Sequence, residues 1–102
     1  MTDVIIEDFK PMTRNSLRGF ARARMPSGVI YHDVAIHQRD GTRWASPASK
    51  PMIGAYGTQM RGTDGKAAWQ PIISFVSKEV RDQFSRAIVA AVEIGFPGAF
   101  RD

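Results

Sequence analysis

The stretch Ser16–Met25, SLRGFARARM, constrains this chain more than any other. Arg18, Phe20, Arg22 and Arg24 fall on one parity, and Leu17, Gly19, Ala21, Ala23 and Met25 fall on the other. A helix sorts side chains with a period of 3.6 and a strand with a period of two, so the segment predicts a strand. One of its faces is cationic and the other is small and apolar. Such two-sidedness belongs to an antiparallel sheet that is covered on one side and open on the other. The small face leaves room for a covering helix.

The remaining punctuation fits that plan. Val4–Phe9 is apolar and β-branched and predicts a first strand, followed by a turn over Lys10–Ser16 that contains Pro11. Met25-Pro26-Ser27-Gly28 predicts the next turn, and Val29–Gln38 a third strand. On simple alternation Ile30, His32, Val34 and Ile36 share one face of that strand, and Tyr31, Asp33, Ala35 and His37 share the other. Arg39-Asp40-Gly41-Thr42 is a hairpin signal, and Arg43–Ser46 a fourth strand limited by Pro47. Pro47–Lys66 reads as a long glycine-bearing basic loop with a turn at Gly62–Gly65, so it can also be an irregular hairpin. Ala67–Phe75 predicts a last strand interrupted at Pro71. Ser77 is positioned to cap a helix from Lys78 to Ile94, ended by Gly95 and Pro97. Val80, Phe84, Ala87, Ile88 and Ala91 make its apolar stripe.

The expected architecture is α+β, an antiparallel meander of four or five strands with one long C-terminal helix on one face. A chain of 102 residues supports one domain, spanning residues 1–102, with a modest core. With 43% apolar and 24% charged residues it is expected to fold rather than stay disordered. It has no cysteine, which excludes disulfides and thiolate metal sites. The acidic opening MTDVIIED lacks the basic start of a secretory leader, and the longest apolar run, Ala87–Val92, is too short to span a bilayer. A cytoplasmic protein without membrane partners is the expectation.

Charge is distributed unevenly. From Lys10 to Lys66 there are ten basic residues against three acidic ones, and seven of the ten are arginine. The planar guanidinium suits phosphate contact and base stacking, so a polyanion is the expected partner. Enzyme chemistry finds little footing. His32 and His37 have opposite parity, and His37 and Asp33 stand roughly 13 Å apart along a strand, too far for a dyad. GAYGTQMRGTDGK departs from the phosphate-loop pattern GxxxxGK[ST]. No catalytic residue, metal or cofactor is expected.

Three segments resemble the sporulation stage V protein G family. They are Ile30-Tyr31-His32-Asp33-Val34, Trp44-Ala45-Ser46-Pro47-Ala48-Ser49-Lys50-Pro51, and Trp69-Gln70-Pro71-Ile72 leading into Val80–Val92. The resemblance implies a small dimer that binds DNA and RNA as a regulator, with Lys50, Arg61 and Lys66 in binding positions. The meander with a C-terminal helix is also similar to single-strand binders of the positive-cofactor-four type. Together these readings predict low-specificity binding of nucleic acid, more single-stranded than duplex, by a homodimer. Arg14, Arg18, Arg22, Arg24 and Arg43 would hold phosphates and Phe20 would stack on a base, with Lys50, Arg61 and Lys66 closing from the loop. Tyr31, Trp44 and Trp69 are candidate neighbours of Phe20, and Phe96 and Phe100 are candidates for the dimer contact. The alternative is a dimeric protein-interaction adaptor or phage-type regulator that does not touch nucleic acid.

Overall fold

The computed structural model describes residues 4–51, 53, 57, 61 and 69–100. Four strands form an antiparallel meander in the order β1 (Ile5–Arg14), β2 (Leu17–Arg24), β3 (Ile30–Arg39), β4 (Thr42–Ser46). A separate two-stranded ribbon pairs β5 (Ser49–Pro51) with β6 (Trp69–Pro71). One long helix, α1 (Lys78–Gly95), and a short 3-10 turn over Pro97–Phe100 complete the chain. The fold is α+β, with α1 packed against the meander.

Turn chemistry explains the strand order. Gly28 takes a φ of 93° while its N–H donates to the Met25 carbonyl at 2.9 Å. Asp40 and Gly41 both have positive φ, 51° and 81°, as a two-residue hairpin with native twist requires. The first turn is shorter than Lys10–Ser16. β1 runs on to Arg14, and Asn15, with φ 55°, makes the corner. Pro11 sits inside β1 because β1 is an edge strand, where a missing N–H costs no ladder bond. Ser49–Pro51 at the start of the basic loop pairs with Trp69–Pro71 beyond it, in keeping with the hairpin alternative for that segment. β6 stops at Pro71, short of the expected Phe75. Gly62–Gly65, Lys66, Ala67 and Ala68 lie outside the described residues.

Two irregularities alter the simple alternation. In β3 the register steps from Ala21↔Val34 to Ala23↔Tyr31, so His32 and Asp33 together oppose Arg22. Asp33 takes a φ of 54° in this bulge. Side chains beyond the bulge swap sides. Tyr31 therefore joins Val34 and Ile36 on the covered side and meets Phe84 edge-on at 5.5 Å, while Ile30 is left exposed. In β1 a shift between Ile6 and Asp8 lets both Ile6 and Phe9 reach the covered face.

The core lies between that face and α1. Ala21, Ala23, Val34, Ile36 and Ala45 from the sheet meet Phe84, Ile88, Val89 and Val92 from the helix, and Phe100 closes one end. The small side chains of β2 are thus the floor beneath α1. Gly19 is required by a different neighbour. A Cβ there would stand 2.4 Å from the Lys10 carbonyl oxygen and 2.5 Å from the Phe9 ring. The buried stripe of α1 is rotated from the expected one, since Val80 is exposed while Val89 and Val92 are buried. Ser85 faces the sheet, where its Oγ accepts the Ala45 N–H at 2.9 Å. Ser77 caps α1 by accepting the Val80 N–H at 3.3 Å, and the Phe96 N–H closes the other end on the Val92 carbonyl. Phe96 packs on Phe9, and Phe100 is buried in the core. The two phenylalanines expected at a dimer contact are therefore satisfied within the chain.

Candidate functional site

The open face of the meander carries Lys10, Phe20, Arg22 and Arg24. β2 supplies the last three by strict alternation with buried Ala21 and Ala23, and Lys10 pairs directly with Phe20 across β1 and β2. At the centre of this face is a cleft of about 560 Å³. Phe20 and Ala35 from the meander and Trp69 and Ile72 from the ribbon line it, together with Asp33 and the Pro47–Ser49 segment. Ser49 shares a ribbon face with Pro71, its direct cross-strand partner, and by alternation with Trp69. The ribbon thus brings Trp69, which is 57% exposed, over the same cleft as Phe20. A smaller polar hollow adjoins it and shares Phe20 and Asp33 as its wall, with Lys10, Arg22, Asp8 and His32 on the other sides.

Glu7 organises the cations at this site. The β1 bulge places it between two arginines, with Oε1 3.2 Å from Arg22 Nε and Oε2 3.5 Å from Arg24 Nη1. One carboxylate shared by two guanidiniums leaves a net positive charge, and both arginines stay nearly half exposed. Glu7 fixes their direction as much as it offsets them.

The other expected contacts are dispersed. Arg18 falls in the bulge between Leu17 and Gly19. Its Nη1 donates to the Asn15 and Leu17 carbonyls at 3.0 and 3.2 Å, and it lines a hollow with Phe9, Phe96 and Ala99 on the helix side. Arg43 also belongs to the helix side: it pairs with Glu93, donates to Gln38 and lies over the Phe100 ring at 4.4 Å. Arg14 is exposed at the far end of β1, opposite Leu17. Lys50 pairs with Gln70, one position out of phase with Trp69, so alternation turns it to the other face of the ribbon. Arg61 is exposed, and Lys66 lies outside the described residues. Among the described residues the arginines therefore form no continuous track. The cations on the open face are Lys10, Arg22 and Arg24, near the cleft aromatics Phe20 and Trp69.

The candidate aromatics divide between the two faces. Tyr31 is core-side, whereas Trp44, next to buried Ala45, is turned by alternation to the open face and stacks there on its cross-strand partner His37 with ring centres 5.1 Å apart and planes 4° from parallel. His37 Nδ1 is 3.0 Å from Ser16 Oγ. Burial, and then the positive charge of Arg18, lower its pKa from the ordinary 6.5. The His37–Trp44–Ser16 group locks β4 and the first turn onto β3. Lys10 and Asp33 are the site residues that periodicity missed. Lys10 was assigned to a turn, and the bulge that seats Asp33 has no local signal beyond the tolerance of Asp for positive φ.

Compared with family models, with curated proteins and with solved structures, the chain matches none. Among the described residues no helix is long and apolar enough to cross a membrane.

Proposed function

We propose that this protein binds single-stranded DNA or RNA across the open face of its sheet, with little overall sequence preference. The observation that carries the reading is that two aromatic side chains, Phe20 and Trp69, line one open cleft beside exposed cations. A nucleotide is a flat apolar base joined to an anion. A base fits between aromatic walls, Lys10 and Arg22 line the hollow beside the cleft where a phosphate would lie, and Arg24 extends the positive charge along β2. Duplex DNA hides its base faces and gains nothing from such a cleft. The homodimer and a regulatory role belong to the same proposal, which the family resemblance supports.

A titration with single-stranded DNA, duplex DNA and RNA at two salt concentrations tests it. Single strands are expected to bind with a log–log salt slope of about 0.7 for each phosphate contact, and a Lys10→Ala, Arg22→Ala double variant should lower that slope by about 1.4. A second reading, the dimeric adaptor, draws support from exposed apolar residues, with Ile72 in the cleft wall 60% exposed and Val76, before α1, 94% exposed. Absence of any nucleic-acid binding at low salt would favour the adaptor.

A further inference from the structure

We propose, resting on the single-strand reading, that Asp33 gives the cleft a preference for a base with a donor edge, guanine first and thymine or uracil last. Three observations converge on this residue. Asp33 holds a left-handed backbone, φ 54°, in the middle of a strand, a conformation that is uncommon for any residue but glycine. Strained positions of this kind persist where the surroundings over-determine them, and they cluster at binding sites. Asp33, in the bulge opposite Arg22, lines both the aromatic cleft and the polar hollow. Among the described residues nothing donates a hydrogen bond to its carboxylate, whereas nearby Glu7 is engaged by two arginines.

An ionised carboxylate only accepts hydrogen bonds. A base lying between Phe20 and Trp69 turns an edge toward the cleft wall, and the hydrogen-bonding pattern of that edge decides the outcome. Guanine offers a ring N–H next to an exocyclic amine, so both carboxylate oxygens can accept in parallel, the geometry that makes paired contacts strong. Cytosine and adenine each offer one amine beside an acceptor nitrogen. Thymine and uracil offer one N–H flanked by two carbonyls, and both carbonyls repel the carboxylate. Lys10 and Arg22, on the far side of the shared wall, draw the phosphate away from Asp33. The cleft therefore discriminates at one base position while the rest of the strand is held without regard to sequence.

The test uses four heptanucleotides of thymidine with a central dG, dC, dA or dT, titrated against the full chain at fixed salt. The dG strand is expected to bind about tenfold more tightly than the all-dT strand, with dC and dA between them. Asp33→Asn and Asp33→Gly both tolerate the positive φ and should remain folded. Each should reduce the spread among the four strands to within about threefold, with the all-dT affinity raised as the repulsion from the carboxylate is lost. Equal binding of all four strands by the wild-type protein, or a ranking that survives both substitutions, would overturn the role of Asp33 while leaving the stacking cleft standing. Failure of every strand to bind would overturn both.

Discussion

Gly19 shows how a single hydrogen atom supports the sheet. A methyl group at this position meets both a backbone oxygen and an aromatic ring of β1. Gly19→Ala should therefore cost about 1–3 kcal/mol, read as a lower urea midpoint at unchanged slope. An unchanged midpoint would mean that β1 moves aside freely. Ile88 is fully buried, and Ile88→Ala should remove about 2–5 kcal/mol from a total of about 5–15. His37 makes the stability depend on pH. Its folded pKa lies below the ordinary 6.5, so below about pH 6.5 the unfolded chain binds more protons than the folded one. Its contribution is complete above that value and is lost as the pH falls through the window beneath it. The drop in urea midpoint between about pH 7.5 and about pH 5.5 should be smaller in His37→Gln than in the wild type. Equal drops would show that His37 is not the group responsible.

Among the elements, α1 and β4 depend on two serines with separate tasks. Ser77 satisfies one of the donors exposed at the start of α1, and Ser77→Ala should cost about 1 kcal/mol. Ser85 satisfies the outward Ala45 N–H on β4, the last strand of the meander. That bond blunts an edge that would otherwise offer itself to another strand. Ser85→Ala should both destabilise the fold and raise self-association above that of the wild type, seen as a larger concentration-dependent shift in sedimentation; a variant that sediments as the wild type does at every concentration would contradict the edge role. Elements set by local chemistry were legible. Ser16–Met25 announced its period, Asp40-Gly41 its hairpin, and Ser77 with Gly95 the limits of α1. Bulges were not legible, because the choice of which residue to leave unpaired is made across two strands. The slip at His32–Asp33 reversed the sides of Ile30 and Tyr31, and Pro11 looked like a turn only because its edge position could not be known.

For the protein as a unit, the charge surplus was visible from composition, but its distribution was not. Arg18 and Arg43, counted from parity and sequence position as members of one track, are held on the helix side by partners distant in sequence. Glu7, from the acidic start of the chain, returns to bridge Arg22 and Arg24. What the fold assembles is a compact aromatic cleft edged by a few cations, with α1 and the buried face of β2 as its rigid support. Its electrostatic footprint is smaller than the net charge of +4 in a chain of pI 10.0 suggests.

Stacking between the meander and the ribbon is the feature on which the functional reading stands. A fluorescence-anisotropy titration of a labelled thymidine strand of about a dozen nucleotides, against wild type, Phe20→Ala and Trp69→Ala, addresses it directly. Each substitution removes a ring that lies outside the core, half-buried at Phe20 and exposed at Trp69, and each should weaken binding about tenfold or more while the urea midpoint stays near that of the wild type. Wild-type affinity in both folded variants would contradict the account.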